Sequence, residues 1–214
     1  MESRSIKVKS RINPRMSISV IPGHFATNHS HVSHYIDITG IKHHSKAAQL
    51  AAEELLPYFS GSVAVDTIIC MDGCEMVGAY LAKELSQSGA HSLSADSDIS
   101  VLTPEFNANG QMVFRDNLQP MLWGKGILLL IASATTGKTI TRSLDCVRYY
   151  GGRAVGIAAV FSAIQEMAGM PVVSVFTQED VPGYETFLPA ECPSCKQQVK
   201  IDAIVSSSGY TKIE

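Results

Sequence analysis

The chain has 214 residues, 45% of them hydrophobic and 17% charged, which is typical of a globular protein and excludes a disordered or fibrous one. This length suits one substantial domain with or without a small subdomain, since domains run about 100–200 residues. The formal net charge is -3, from 17 Lys and Arg against 20 Asp and Glu residues. Such a balance gives no long-range attraction for nucleic acid or an anionic membrane, so we expect neither as a partner.

The predicted elements alternate regularly from residue 45 onward. In chain order they are a helix over 45–59 closed by Pro57 and Gly61, a strand over 62–71, a helix over 78–89 ending at Gly89, a strand over 99–103, a strand over 126–132, a helix over 139–152, and strands over 153–162 and 171–176. Strands that are apolar on both faces and alternate with helices indicate an α/β fold whose parallel sheet is flanked by helices.

Both ends of the chain depart from this alternation of helices and strands. Residues 15–44 alternate weakly and contain six of the seven histidines, while residues 181–214 contain three prolines and the sequence CPSC. We expect these ends to form a small hood beside the sheet. The chain then divides into an N-terminal tail and hood segment (1–44), an α/β core (45–180) and a C-terminal hood segment (181–214).

The N-terminal segment is basic but has no apolar run like the core of a signal peptide, and no later segment approaches a membrane span. We therefore expect a cytoplasmic protein. The number of cysteines is odd, so reduced thiols are expected rather than a disulfide framework. The five cysteines are Cys70, Cys74, Cys146, Cys192 and Cys195.

The stretch ILLLIASATTGKTI, residues 127–140, predicts a phosphate site, because an apolar strand runs directly into a turn rich in hydroxyl groups and then into a helix. Lys138 would add an ammonium group beside the anion, although it is also compatible with a solvated lysine on the first helical turn. The candidate phosphate ligands are Ser133, Thr135, Thr136, Gly137, Lys138 and Thr139.

One interpretation of this loop is a P-loop, whose pattern is GxxxxGK[ST] after a strand. Residues 132–139 contain the Gly-Lys-Thr, but Ala132 stands where the first glycine is needed for its backbone freedom. A P-loop nucleotide hydrolase therefore remains an alternative with an incomplete motif.

The second interpretation rests on Thr135-Thr136-Gly137 followed by a hydroxyl residue, which resembles the phosphoribosyl pyrophosphate loop of type I phosphoribosyltransferases. HYIDITGI (34–41), VDTIICMDGCEMVGAYLAKEL (65–85), YYGGRAVGIAAVFS (149–162) and the late CPSC are similar, in order and spacing, to segments of the orotate enzymes of that family. The resemblance covers about residues 20–200.

The resemblance implies a homodimer and a phosphorylated small-molecule ligand. It also implies a magnesium-dependent reaction, in which a pyrimidine base displaces pyrophosphate from phosphoribosyl pyrophosphate and a nucleotide forms.

Several residues depart from the family's pattern. Ile131 and Ala132 occupy the positions of an acidic pair, and neither can hydrogen-bond ribose hydroxyls or balance positive charge. The region 103–117, which corresponds to a mobile basic loop, offers only Arg115. Ser162-Ala163 replaces a base-recognising Asp-Arg. Catalytic residues therefore stay unassigned, and a non-catalytic paralogue that binds a nucleotide or sugar phosphate is the other alternative.

The segment equivalent to the pyrophosphate loop also departs from the family. In the family this loop is rich in glycine, whereas here two acidic side chains would put negative charge near a departing pyrophosphate. The equivalent residues are Asp72, Gly73, Cys74 and Glu75.

Two groups of residues raise the question of a metal. His29 and His31 would share one face of a strand, but a histidine-rich polar segment explains them equally without a cysteine or carboxylate at ligand spacing. The neighbouring histidines are His24, His34, His43 and His44. Cys192 and Cys195 form a single CxxC, half of a zinc ribbon, so structural zinc is an alternative to a turn with two reduced thiols.

Overall fold

The computed structural model describes residues 1–61, 64–88, 98–108, 110–206 and 209–213. The helices are α1 (Thr39–His43), α2 (Ser45–Phe59), α3 (Glu75–Ser86), α4 (Lys138–Tyr149) and α5 (Pro193–Lys196). The strands are β1 (Ile6–Lys9), β2 (Ser17–Ala26), β3 (His31–Asp37), β4 (Thr67–Cys70), β5 (Ser100–Leu102), β6 (Glu105–Phe106), β7 (Met112–Val113), β8 (Gly126–Ala134), β9 (Arg153–Ser162), β10 (Glu166–Met167), β11 (Met170–Thr177), β12 (Thr186–Phe187), β13 (Ala203–Ser206) and β14 (Gly209–Lys212).

The central sheet has the order β10-β11-β9-β8-β4-β5 and is parallel except for β10. Alternate residues of β8 enter two different cores. Leu128 and Leu130 pack with the buried faces of α2 and α3, while Leu129 and Ile131 pack with the buried face of α4. Because both faces of the sheet are covered, its strands are apolar throughout, and the predicted fold class is confirmed.

The hood is a second sheet with the order β12-β3-β2-β13-β14, and β1 also pairs with β2. Its first three strands come from the N-terminal end of the chain and its last three from the C-terminal end. The two ends meet where β13 pairs in parallel with β2, with Ala203 opposite Phe25. The hood therefore depends on contacts between residues almost the whole chain apart.

Some boundaries differ from the predicted ones. Helix α2 has the predicted bounds, 45–59, but Pro57, which was expected to close it, lies inside its last turn, and Phe59 is buried against Gly156. Helix α3 begins at Glu75, three residues earlier than expected. The predicted helix end at Gly89, like residues 62–63 at the start of a predicted strand, lies outside the described residues.

Among the described residues, no helix is both long and apolar enough to cross a bilayer. All five cysteines are free in the structure.

Candidate functional site

A cleft of about 240 Å³ lies between the hood and the carboxyl end of β8. One wall is the loop after β8. The opposite side comes from the hood, chiefly the turn between β2 and β3, the end of β3 and the residues after it, the end of β13 and the first residue of β14. Lys42 of α1 and Asp72, from the loop between β4 and α3, complete the lining. The cleft therefore lies where the carboxyl ends of parallel strands meet, the usual position of ligand sites in α/β folds.

The loop after β8 is short because the strand runs through Ala134, and helix α4 begins at Lys138. Gly137 ends the loop with a left-handed backbone, φ 72°. A β-carbon at this position would also overlap the flexible end of the Met167 side chain, which would have to move. The dihedral angle therefore favours glycine at residue 137.

All six predicted phosphate ligands line this cleft. Within the described part of the chain, the hydroxyl groups of Thr135, Thr136 and Thr139 make no hydrogen bond to other protein groups, so they are available to a ligand. The amides of the first turn of α4 have no acceptor within the helix, as at any helix N-terminus. Lys138 is exposed beside them. This arrangement offers hydrogen-bond donors and positive charge to an anion.

The segment equivalent to the pyrophosphate loop reaches the cleft only through Asp72. Both Asp72 and Gly73 have left-handed backbones, φ 58° and 83°. The next residue, Cys74, is fully buried, and Glu75 accepts a hydrogen bond from Thr103 Oγ1 at 3.1 Å. Only one of the four predicted residues of this segment therefore lines the cleft.

Burial shifts the acid–base groups near this loop toward their neutral forms. It raises the pKa of Asp72, while nearby Lys42 lowers that pKa and Glu75 raises it further. Burial raises the pKa of the Cys70 thiol to about 12 and also raises the pKa of Cys74. Because a thiolate, not a thiol, is the nucleophile, neither cysteine is suited to covalent catalysis at neutral pH.

The positions of the family's acidic pair are apolar and buried. Ile131 is 1% exposed and Ala132 is 4% exposed, and each belongs to one of the two cores. Asp72 is consequently the one acidic side chain among the described residues that line the cleft.

The two other departures from the family lie outside the cleft lining. Arg115 Nε donates to Glu105 Oε1 at 2.9 Å, in an ion pair beside the β6–β7 hairpin. Ser162 Oγ donates to the main-chain oxygen of Ile164 at 2.6 Å. Neither side chain contributes a group to the described site.

Cys192 and Cys195 lie beside His24 and His31, and the ligand atoms of the four side chains are all within 4.8 Å of one another. Sequence reasoning grouped His31 with His29, but His29 instead lines the cleft. The partnership of His24 with the CPSC segment was missed, because 168 residues separate His24 from Cys192.

No family model matches the chain. The orotate phosphoribosyltransferase of Desulforamulus reducens is 27% identical over 184 residues, which cover 84% of this chain and 86% of that protein. Among solved structures, the orotate phosphoribosyltransferase of Aeropyrum pernix gives a TM-score of 0.51 at 20% identity, covering 75% of this chain and 88% of that chain. A phosphoribosyltransferase from Corynebacterium diphtheriae gives a TM-score of 0.51 at 17% identity, covering 76% of this chain and 90% of that chain.

The structural neighbours establish the fold, and the curated relative adds a sequence match that extends over most of both chains. The loop after β8 lies at the carboxyl end of the central strand in this fold, as the resemblance of its sequence implied. The chain therefore has a phosphoribosyltransferase fold and is similar, over most of its length, to orotate phosphoribosyltransferases.

Proposed function

We propose that the chain binds a phosphoribosyl compound by its 5′-phosphate at Thr135–Thr139. The observation that carries this proposal is a loop of unbonded hydroxyl groups and helix N-terminal amides, facing a cleft together with Lys138. A phosphate group needs several donors at once, and such a loop supplies them without rearrangement.

The proposed ligand is a pyrimidine nucleoside monophosphate. The hood side of the cleft has apolar and aromatic side chains from Tyr35, Ile36 and Ile38, which suit the faces of a base and ribose. Asp72 disfavours a second anionic group near its own loop, and this argues for a monophosphate over a pyrophosphorylated sugar. The pyrimidine class follows from the relatives, which are named orotate phosphoribosyltransferases.

A second candidate is the transfer reaction itself, with phosphoribosyl pyrophosphate and a pyrimidine base as substrates. It is favoured by one observation, the match of curated relatives over 84% of this chain. Magnesium in such sites is held by one or two carboxylates together with substrate phosphates. Here Ile131 and Ala132 supply no carboxylate, and Asp72 is the one acid in the described lining. These residues do not form an acidic pair, so the proposal includes no metal-dependent step.

The P-loop alternative has no support in the geometry. A P-loop needs a flexible turn from its first glycine, yet Ala132 is a buried residue of β8 and the strand continues to Ala134. Only three residues, 135–137, remain to form a loop before α4 begins, too few to wrap a triphosphate.

The test is calorimetric titration with orotidine monophosphate, phosphoribosyl pyrophosphate and inorganic pyrophosphate, each with and without magnesium. The variants are Thr136→Val, Thr136→Ser and Lys138→Ala. Lys46→Ala is the matched control, because Lys46 is also an exposed lysine in the first turn of a helix, α2, but lies outside the cleft lining. Thr136→Ser keeps the hydroxyl and should bind like the unaltered protein.

We expect the monophosphate to bind without magnesium. Both Thr136→Val and Lys138→Ala should weaken its binding about tenfold or more, since a hydrogen bond to a charged group contributes about 1.5–3 kcal/mol. Binding of phosphoribosyl pyrophosphate only with magnesium would instead support the transfer reaction. The absence of binding by all three ligands would reject both candidates.

A further inference from the structure

Four side chains from opposite ends of the chain converge at one point in the hood. His24 lies in β2 and His31 begins β3, while Cys192 precedes α5 and Cys195 lies within it. His24, His31 and Cys192 are 4%, 9% and 1% exposed, and Cys195 is half-buried. Two imidazoles and two thiols in this arrangement are the donor set of a Cys₂His₂ zinc site.

The distances between the donor atoms fit a tetrahedron. His24 Nε2 lies 3.0 Å from His31 Nδ1 and 3.4 Å from Cys192 Sγ. Cys195 Sγ lies 3.2 Å from His31 Nδ1 and 3.6 Å from His24 Nε2. Zinc–nitrogen bonds of about 2.0–2.1 Å and zinc–sulfur bonds of about 2.3 Å give tetrahedral edges of about 3.3 Å between nitrogens and about 3.6 Å between nitrogen and sulfur.

Hydrogen bonding alone does not account for this cluster. His24 Nε2 has three neighbours within bonding distance, one ring nitrogen and two sulfurs. A ring nitrogen carries either one hydrogen or one lone pair, so it satisfies one of these contacts at a time. If Cys192 donates to His24 Nε2 and Cys195 donates to His31 Nδ1, the lone pairs of the two ring nitrogens face each other at 3.0 Å. A cation at the centre accepts one lone pair from each of the four groups at once.

The surroundings of His24 set the tautomer that a metal requires. Its Nδ1 lies 3.0 Å from the main-chain oxygen of Val199. Because a carbonyl oxygen only accepts, Nδ1 carries the hydrogen and Nε2 presents its lone pair to the cluster. A histidine ligand whose other nitrogen donates to a carbonyl is the usual outer-shell arrangement of metal sites.

The chain topology brings the two halves of the site together. In the β2–β3 pairing Ala26 lies opposite His31, and an irregularity of register between Pro22 and Phe25 leaves the His24 ring beside that of His31. The C-terminal segment passes this hairpin twice. Strand β12 puts Phe187 opposite His31, and β13 later puts Ala203 opposite Phe25. The CPSC turn lies between these two pairings and so meets both histidines.

We propose that His24, His31, Cys192 and Cys195 bind one structural zinc ion that fastens the C-terminal segment to the β2–β3 hairpin. Two thiolates balance the charge of Zn²⁺, so the closed site is neutral and suits burial. The turn between the two histidine ligands, Thr27 to His29, lines the cleft. The zinc ion therefore also holds the part of the hood that faces a ligand.

The first measurement is the zinc content of tag-free protein purified without chelator, together with anaerobic reconstitution of the metal-depleted protein with Co²⁺. The variants are Cys195→Ser and His31→Asn. Their controls are Cys146→Ser and His43→Asn, which change the same residue types outside the cluster. Hydrogen exchange of the amides of residues 27–30, with and without zinc, reports on the hood.

We expect about one zinc ion per chain, a Co²⁺ spectrum with the thiolate charge-transfer bands of a tetrahedral site, and about tenfold or greater loss of zinc in both variants but in neither control. Exchange at residues 27–30 should speed up when zinc is removed. The proposal fails if the unaltered protein takes up neither Zn²⁺ nor Co²⁺, if both variants keep their zinc, or if mass spectrometry finds Cys192 and Cys195 joined as a disulfide. The cobalt titration uses the unaltered protein, so it decides the question even if a variant does not fold.

Discussion

Lys42 Nζ donates a hydrogen bond to the main-chain oxygen of Asp72 at 2.9 Å, and this contact joins the N-terminal segment to the loop between β4 and α3. Lys42 is 7% exposed. Asp72 has a left-handed backbone, φ 58°, which costs about 1–2 kcal/mol for a residue other than glycine. The charged donor therefore holds a strained loop in the conformation that lines the cleft.

The first prediction is that Lys42→Met lowers the free energy of unfolding by about 1.5–3 kcal/mol, the usual contribution of a hydrogen bond with a charged partner. Methionine keeps the apolar stem but cannot donate. Chemical denaturation followed by circular dichroism measures the change, and Lys46→Met, on the exposed face of α2, is the control. Equal stability of the two variants would show that this contact does not hold the loop.

The second prediction concerns the pH dependence of stability at Asp72. Burial raises the pKa of this carboxyl above its ordinary 3.8, so the folded state favours the protonated form. Its favourable contribution is complete below pH 3.8 and is lost as the pH rises through the raised pKa. We expect Asp72→Asn to have a higher Tm than the unaltered protein at about pH 7, and this gain to shrink as the pH falls.

Thermal unfolding at several pH values tests this prediction. The control is Asp98→Asn, because Asp98 is exposed. The same variant should bind anionic ligands more tightly at neutral pH, since a negative charge leaves the cleft. A gain in Tm that is independent of pH would point to the backbone preference of asparagine for positive φ rather than to the charge.

Much of the central sheet could be predicted from the sequence because its strands lie between two covering layers. The strand over 153–162 was predicted with the bounds that the structure has, since an unbroken apolar run follows two glycines. The bounds of α2 were also predicted, although Pro57 lies inside its last turn, where Phe59 is buried against β9. The start of α3 at Glu75, three residues before the predicted start, was not.

The candidate zinc cluster could not be assembled from the sequence because strand register is a long-range property. Alternation within one strand groups His29 with His31. In the structure a tight turn, in which Thr27 Oγ1 donates to the Ser30 oxygen at 2.9 Å, takes His29 out of the strand. His24 then becomes the partner through the β2–β3 pairing. The contact between Lys42 and Asp72 could not be predicted either. Its acceptor is a main-chain oxygen, which every residue has, so the type of residue 72 does not indicate it.

The third prediction separates two effects of the glycine at residue 137. Gly137→Ala adds a β-carbon to a left-handed residue and brings that carbon against Met167 Cε. Gly169→Ala is the matched control, since Gly169 has a similar φ of 76° but no atom within 4 Å of the added carbon. We expect a loss of about 1–2 kcal/mol in the control and a larger loss in Gly137→Ala.

Adding Met167→Ala should remove the extra loss of Gly137→Ala relative to its control, because it removes the contact but not the strained dihedral angle. Denaturation midpoints give the stabilities, and calorimetry gives the affinity for the monophosphate. Equal losses in Gly137→Ala and Gly169→Ala would mean that Met167 moves away at no cost.

The last prediction asks whether the missing acidic pair can be restored. Ile131 is 1% exposed and packs with the buried side chains of α4. Ile131→Asp therefore buries a charge without a partner. We expect a loss of more than about 3 kcal/mol in the free energy of unfolding. Ser133 lies two residues further along β8, is exposed and lines the cleft. Ser133→Asp should therefore change stability by less than about 0.5 kcal/mol.

Ser133→Asp should still weaken phosphate binding, since its carboxylate would face the same cleft as the ligand. Urea denaturation and calorimetric titration of both variants distinguish these effects. If Ile131→Asp folds with unchanged stability, the end of β8 is open enough for an acidic pair, and the proposal of binding without transfer loses its structural basis. If the loss is as large as expected, the core packing that stabilises this sheet is itself incompatible with the family's acidic pair.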